Sequence, residues 1–205
     1  PPPPPPPPLP PSDEALVAPP PWPAGMQEIV DAELDVGVRE FFELFWGSQS
    51  RFTIEFHERN GSSEVEMTEW TPHHALGHAR DLTFVHPLRF SFGPKATRCH
   101  QTQRFRYHKG PTLVLDTSQQ NLDIPYGDYF TVEMRWHVTE LPNGRCHLRL
   151  GVSVPFSRST LLKWKIEEGA SEETRETYSM WVKHAQAQLG GYSRATAQPA
   201  ERAPV

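Results

Sequence analysis

The spacing of apolar residues changes once along this chain, and that change limits the fold more than any other feature. From Val65 to Phe156, apolar and polar side chains alternate with a period of two, which is typical of strands. From Ser159 to Leu189, apolar side chains recur every three or four residues, which predicts one long helix. Strands joined by short turns form an antiparallel sheet, whose apolar face a helix must cover. The sequence therefore predicts an α+β domain with a cavity between a curved sheet and this helix.

The predicted elements follow one another in a simple order. A first strand is predicted at Ile29–Leu34, a helix at Val38–Trp46, and a second short helix that starts at Phe52 and closes at Asn60-Gly61. Six strands are then predicted at Val65–Trp70, Ala79–Leu88, Thr97–His108, Thr112–Gln119, Tyr129–Thr139 and Cys146–Phe156. Asn143-Gly144 between the last two is a strong hairpin signal.

Proline divides the chain into a domain and a leading segment. Fourteen of the 23 prolines lie in the first 23 residues. Such a sequence buries too little apolar surface to fold, so residues 1–25 are predicted to be a disordered Pro-rich tail. Residues 191–205 are small and polar and predict a second disordered tail, which leaves 26–190 as one domain. The prolines also suit a partner of the SH3 or WW type.

Charge, hydropathy and cysteine content exclude several classes of protein. A net charge of −5 argues against a nucleic-acid binder, which normally carries a basic excess. No apolar run approaches 18 residues and no secretory signal is present, so we expect this chain itself to be soluble. The two cysteines, Cys99 and Cys146, are expected to be buried thiols in a reducing compartment. We further expect this chain to be part of a longer protein, because it has no initiator Met.

Catalytic and metal-binding patterns are weak. No nucleophile motif or phosphate loop occurs, and we expect neither an enzyme nor a cofactor. A metal site is not expected either, because the clustered histidines lack ligand spacing. These are His73, His74, His78, His86 and His100. The isolated carboxylates Asp123, Asp128 and Glu133 are more typical of solvated or capping groups. An enzyme would need an acid–base set in the cavity, for which only His100, Gln101 and Gln103 give any hint.

The segment from Pro87 to Pro94 allows two interpretations. Phe90 and Phe92 alternate with polar residues, as in a strand with core phenylalanines. The same segment, bounded by Pro and Gly, is also typical of an exposed loop with apolar tips. The cations Arg89 and Lys95 beside those tips favour contact with a membrane surface.

Several sequence blocks together resemble the VASt domain. Their residues look more like those of its plant or algal members than those of the animal sterol transporters. The most specific block is Asp123-Ile124-Pro125-Tyr126-Gly127-Asp128-Tyr129-Phe130, and the resemblance extends from about residue 26 to 189. The other blocks are Phe41-Phe42-Glu43-Leu44-Phe45, Thr68-Glu69-Trp70-Thr71, Phe92-Gly93-Pro94-Lys95-Ala96-Thr97, Gln101-Thr102-Gln103-Arg104-Phe105, Cys146-His147-Leu148-Arg149-Leu150 and Lys163-Trp164-Lys165-Ile166-Glu167.

The resemblance implies a fold and a set of roles. The fold is the StAR-related, Bet v 1-like helix grip, in which the strands of Cys99 and Cys146 are not neighbours. The implied ligand is a sterol or another lipid, held in an apolar cavity under a mobile lid loop and exchanged through transient membrane contact. Leu88, Phe90 and Phe92 map to the lid, and Arg89 and Lys95 to lipid headgroups. Trp70, Trp136 and Trp181 are candidates for cavity lining, with plain core packing as the alternative.

The resemblance also implies a setting. Family members usually carry a GRAM domain upstream and a transmembrane helix downstream, and some move sterol at membrane contact sites. It predicts a place on the cytoplasmic side of the endoplasmic reticulum if the full-length protein has such an anchor. The alternative is a protein-interaction module that keeps the fold without transferring lipid.

Overall fold

One long antiparallel sheet forms the body of the molecule. A computed structural model describes residues 17–73, 77–88 and 94–197, with side chains described as far as Gly191. The strand order is β1-β8-β7-β6-β5-β4-β2, and β3 pairs with β4. The strands are β1 (Gln27–Leu34), β2 (Ser63–Met67), β3 (Thr71–His73), β4 (Gly77–Pro87), β5 (Ala96–His108), β6 (Thr112–Asn121), β7 (Val132–Leu141) and β8 (Arg145–Ser153).

Three helices lie with the sheet. They are α1 (Val38–Phe45), α2 (Phe52–Arg59) and α3 (Lys163–Ala197). The amide of Val38 donates to the Glu140 carboxylate at 2.7 Å, so a side chain on β7 satisfies the first turn of α1. The single curved sheet around the long C-terminal helix is the helix-grip fold, and the predicted α+β class is confirmed.

The core lies between the concave face of the sheet and these helices. Trp136 of β7 and Trp181 of α3 are both buried, with ring centroids 4.8 Å apart. Phe41, Phe45 and Phe52 pack around Trp181 at centroid distances of 5.2 to 5.9 Å. Each buried aromatic side chain removes apolar surface from water, and this burial stabilises the fold by roughly 25 cal/mol per Å² of surface. This aromatic core holds α3 against the sheet.

Several predicted boundaries differ from the structure by a few residues; for example, α3 begins at Lys163 and not at Ser159. Two of the differences have a clear physical explanation. The predicted strand at Val65–Trp70 is broken, since β2 ends at Met67 and β3 begins at Thr71. The break occurs where Trp70 turns inward and its indole N–H donates to the carbonyl of Trp46 at 2.8 Å. The predicted end of the long helix at Leu189 is also too early, because α3 continues through Gly190-Gly191 to Ala197. Glycine weakens a helix by about 1 kcal/mol but does not break its hydrogen bonds.

Because neighbouring strands are antiparallel, the connections between them lie alternately at the two ends of the sheet. At one end, β4, β6 and β8 finish while β1, β5 and β7 begin. We call this the mouth end. Its connections are residues 88–95 between β4 and β5, 122–131 between β6 and β7, and 154–162 between β8 and α3.

Cys99 on β5 and Cys146 on β8 are separated by two strands, as expected. Burial raises the pKa of each thiol to about 12.

The last part of the Pro-rich segment lies on the convex face of the sheet. We call residues 17–26 the strap. Its Val17 carbonyl accepts from the amide of Lys109 at 2.9 Å, and its Pro21 carbonyl accepts from Arg135 at 3.3 Å. The Trp22 ring lies 4.5 Å from the guanidinium of Arg149. The predicted tail at 1–25 therefore includes residues that contact the domain from 17 onward.

Gly151 is the place where the strap comes closest to the sheet. A Cβ at this position would meet a ring carbon of Trp22 at 2.5 Å and the Met26 side chain at 2.7 Å. Real Cβ atoms do not approach so closely, so any larger residue must displace the strap.

Replacing Gly151 with Ala is therefore expected to lower the free energy of unfolding by about 1–3 kcal/mol, as overpacking usually does. Chemical denaturation followed by circular dichroism measures this loss. The matched control is Gly169→Ala on α3, where nothing lies within 4 Å of the new Cβ. That variant should gain up to about 1 kcal/mol from helix propensity. Equal stabilities of the two variants would contradict the close packing of Trp22.

Candidate functional site

A cavity of about 90 Å³ lies at the mouth end between the concave face of the sheet, α2 and α3. Its walls mix apolar and polar side chains in similar numbers. The apolar lining residues are Phe56, Phe84, Leu88, Val132, Met134, Ala170 and Tyr178. The polar ones are His57, Asn60, Ser62, His86, Thr97, Gln119, Asn121, Glu173, Thr174 and Thr177. Pockets for drug-sized ligands run from roughly 300 to 1,000 Å³, so this cavity must widen before it holds a whole lipid.

The predicted lid segment begins at the rim of this cavity. Leu88 is partly buried and lines the cavity, and its amide donates to the carbonyl of Lys95 at 2.8 Å. This hydrogen bond closes the base of the connection between β4 and β5. Lys95 is exposed. Arg89, Phe90 and Phe92 lie outside the described residues. The structure thus brings one of the three predicted lid side chains to the cavity.

The three tryptophans proposed from the sequence lie away from the cavity lining. Trp136 and Trp181 belong to the aromatic core. Trp70 is partly buried and packs on Phe105 at a centroid distance of 4.8 Å. Tyr178 and Phe56 line the cavity and also contact this core, Tyr178 at 5.2 Å from Trp136 and Phe56 at 6.5 Å from Phe52.

A chain of side-chain amides crosses the concave face from the core to the cavity. Gln103 donates to Gln101 at 2.7 Å, Gln101 donates to Gln119 at 3.1 Å, and Gln119 donates to Asn121 at 3.0 Å. We call these four residues the amide ladder. The Cys99 thiol also donates to the Asn121 oxygen, at 3.2 Å. Because Gln119 and Asn121 line the cavity, the ladder connects the cavity wall to the interior.

Arg80 stands at the inner end of the amide ladder. Its Nε donates to the Gln103 side-chain oxygen at 2.7 Å, and its guanidinium stacks 4.2 Å from the Trp70 ring. The residue is 3% exposed, and its Nη2 has no hydrogen-bond partner among the described residues. Burial lowers the pKa of Arg80 to about 9, which the charge of Glu69 partly opposes. This buried cation is thus held chiefly by an amide and a ring.

The alternation of residues 99–107 was visible in the sequence, but the continuous ladder was not. Sequence reasoning placed Cys99, Gln101 and Gln103 on one strand face and treated the glutamines only as a hint of catalysis. Glutamine is mostly a surface residue, so a buried row of it is not expected from composition. The register of β5 against β6, which sets Gln101 opposite Gln119, completes the ladder.

The polar groups that the sequence offered for catalysis or metal binding have other contacts. Asp123 pairs with Arg98 at 2.7 Å, and the hydrogen bonds from Arg98 lower the pKa of Asp123 to about 2. Asp128 pairs with Arg158 at 2.7 Å. Glu133 accepts hydrogen bonds from Ser118 and Thr131. Within the described ranges, no group of three or more His, Cys, Asp or Glu is arranged to hold a metal ion.

His57 is a cavity residue whose protonation is strongly perturbed by burial. Its ring lies 4.2 Å from Phe84. Burial, and to a smaller extent the nearby His86, lowers the pKa of His57 from 6.5 to about 4. The imidazole is therefore neutral at physiological pH and presents an uncharged polar surface to the cavity.

Acid is expected to destabilise the domain through His57. Between about pH 6.5 and pH 4 the unfolded chain binds a proton at this site and the folded chain does not, so the free energy of unfolding falls as pH falls. His57→Gln should reduce this loss. The measurement is the melting temperature at several pH values from 7.5 to about 4.5. The control is Gln186→Ala at an exposed position of α3, which removes no titratable group and should keep the wild-type profile.

The pairing of Arg80 with Gln103 is expected to show strong coupling. Gln103→Leu removes the acceptor of Arg80 Nε and should lower the free energy of unfolding by about 3 kcal/mol. Adding Arg80→Met removes the stranded charge and should restore most of that loss. Urea denaturation of the two single variants and the double variant gives the coupling energy. Simple additivity of the two losses would contradict this account.

Comparisons with known proteins agree with the fold and the order of its elements. Residues 28–173 match the VASt family, described as VAD1 Analog of StAR-related lipid transfer domain. The protein VASCULAR ASSOCIATED DEATH 1, chloroplastic, of Arabidopsis thaliana is 39% identical over 163 residues, which are 77% of this chain and 27% of that protein. Aster-A of Rattus norvegicus is 24% identical over 147 residues, or 69% of this chain and 20% of that protein.

A further relative is named for other domains. A C2 and GRAM domain-containing protein of Arabidopsis thaliana is 23% identical over 159 residues, covering 75% of this chain and 16% of that protein. This chain thus spans about a quarter or less of the length of these relatives. No helix in the described part of the chain has the length and apolar character to cross a membrane. Because residues 28–173 match the VASt family, this chain belongs to that family.

Proposed function

We propose that this domain binds a sterol or another lipid between its sheet and α3 and transfers it between membranes. The observation that carries the proposal is a cavity at the mouth end that is lined by Leu88 at the base of the 87–94 segment. A family described by its likeness to lipid-transfer domains supports the same function.

Widening of the cavity is part of this proposal. The present volume of about 90 Å³ holds only a fragment of a lipid. A ligand that hides about 400 Å² of apolar surface gains roughly 10 kcal/mol relative to water, less the cost of association. A membrane offers the lipid a similar gain, so transfer requires only a widened cavity whose affinity nearly matches that of the membrane. We assign the opening motion to the 87–94 segment, a lid that carries Leu88, Phe90 and Phe92.

The polar wall gives the ligand an orientation in this proposal. The side-chain nitrogen of Asn60 is buried and has no hydrogen-bond partner among the described residues, and Asn60 lines the cavity. Gln119 and Asn121 stand on the same lining, at the end of the amide ladder. A lipid hydroxyl or carbonyl oxygen that accepts from Asn60 would satisfy this donor.

We further propose a cellular setting from the relatives. A longer protein with a membrane anchor would hold the domain on the cytoplasmic side of the endoplasmic reticulum at contact sites. No catalytic step is needed, because transfer breaks no covalent bond. The Pro-rich segment is proposed to bind a partner of the SH3 or WW type.

One observation favours a second candidate function. The cavity is small and about half of its lining residues are polar, as expected for a domain that has kept the fold but binds a protein instead of a lipid. An interaction module of this kind would not extract lipid from membranes.

Lipid extraction separates the two functions. The chain is incubated with liposomes that contain a fluorescent sterol, and the soluble bound sterol is measured with and without competing lipids. Ala170→Trp should abolish binding, since an indole at this cavity residue fills the available space. The matched control is Ala187→Trp on the exposed side of α3, which should bind normally.

Saturable binding near one sterol per chain, lost in Ala170→Trp and kept in Ala187→Trp, supports the lipid carrier. Absence of binding to the sterol and to a panel of other lipids would reject it and favour the interaction module.

A further inference from the structure

Exposed apolar side chains are concentrated at the mouth end. Seven large apolar residues in the described part of the chain are notably exposed; four of them lie on connections at that end, and a fifth, Trp164, lies in the first turn of α3. Leu161 is 96% exposed and Trp164 is 65% exposed, whereas tryptophan normally hides most of its surface. The remaining three of the five are Leu122, Tyr126 and Leu162.

The connection from β8 into α3 adds positive charge to this apolar surface. Residues 157–165 contain Arg158, Lys163 and Lys165 and no acidic residue, although the whole chain has a net charge of −5. The charge becomes negative again at Glu167 and Glu168. Within residues 157–168, the positive side chains thus lie in the same stretch as Leu161 and Trp164.

Contacts between two connections make this surface continuous. The Ser157 amide donates to the Tyr129 carbonyl at 2.7 Å, and Phe130 and Phe156 form an isolated β-bridge. Arg158 lies over the Tyr129 ring at 5.2 Å, and that ring packs on Tyr126 at a centroid distance of 5.2 Å. We call the whole area the rim surface. It consists of Leu122, Tyr126, Arg158, Leu161, Leu162, Lys163, Trp164 and Lys165.

The rim surface lies beside the opening of the cavity. Ala170, which lines the cavity, is six residues after Trp164 on the same helix. At 1.5 Å per residue, Trp164 is about 9 Å further along the axis, beyond the cavity and toward the outside. The 122–131 connection starts immediately after Asn121, another lining residue.

We infer that the rim surface docks this domain on an anionic phospholipid membrane, with the cavity opening toward the bilayer. The inference rests on the proposed lipid-binding function and adds a docking site outside the 87–94 segment. Indole and leucine side chains partition into the membrane interface, while lysine and arginine are attracted to anionic headgroups. Pairing of Arg158 with Asp128 and of Lys163 with Glu167 leaves Lys165 as an exposed cation without an ion pair among the described residues.

A membrane matches this surface better than a protein groove does. Leu161 and Trp164 are highly exposed, with Lys163 and Lys165 beside them in the sequence, and neither residue lines the mouth-end cavity. A negatively charged chain is repelled by an anionic membrane except where its local charge is positive, so this distribution also sets the orientation.

The test is flotation of the full 205-residue chain with vesicles. Vesicles of phosphatidylcholine alone are compared with vesicles containing about 30% phosphatidylserine, a negative fraction large enough for electrostatic attraction. Leu161→Ser with Trp164→Ser, and separately Lys163→Glu with Lys165→Glu, should each weaken binding about tenfold or more. The matched controls lie further along α3, where Met180→Ser and Lys183→Glu should bind like the wild type.

Two further measurements keep this inference separate from the lipid-binding function. Binding of a fluorescent sterol delivered from cyclodextrin requires no vesicle, and the rim variants should retain it. Circular dichroism checks that they remain folded. Flotation that requires phosphatidylserine and is lost in the rim variants supports docking. Equal flotation of rim and control variants, or a wild type that binds sterol but no vesicle, overturns it.

Discussion

The contact between Trp136 of β7 and Trp181 of α3 fixes the position of the long helix, and the rest of the structure depends on it. Toward the C-terminal end of α3, Ala185 and Leu189 continue the buried stripe. Toward the N-terminal end, Ala170 and Thr174 are too small to fill the gap between helix and sheet. One helix is therefore tightly packed in its middle and loosely packed near its start, and this difference places the cavity at the mouth end.

The concave face combines two kinds of interior that rarely occur together. Aromatic rings occupy the half beneath α1 and α2, and the amide ladder occupies β5 and β6. An apolar interior fits any lipid body, whereas amides must be paired in one geometry to avoid a large cost. Arg80 joins the halves, because it stacks on Trp70 and donates to Gln103. The concave face thus joins an apolar half to a half in which polar side chains are paired with one another.

Much of the fold could be predicted because each element has a strong local signal. The alternation of Thr97–His108 matches β5, and the helical spacing of Ser159–Leu189 matches most of α3. The break before Thr71 was not predictable, since it depends on a hydrogen bond from Trp70 to the carbonyl of Trp46, directly after the end of α1. The amide ladder depends on strand register, and the cavity on what α3 leaves unfilled. Sequence reasoning found Leu88 at the rim but not the exposed Leu161 and Trp164.

The strap sets the point at which the preceding proline-rich segment joins the domain. Val17 is paired with Lys109, in the turn between β5 and β6, at the opposite end of the sheet from the cavity. β5 has 13 residues, so roughly 40 Å of strand separates that turn from the mouth. Residues 1–16 therefore join the described domain at the end of the sheet opposite the cavity. The point where this segment joins and the mouth of the cavity are thus held apart by the length of one strand.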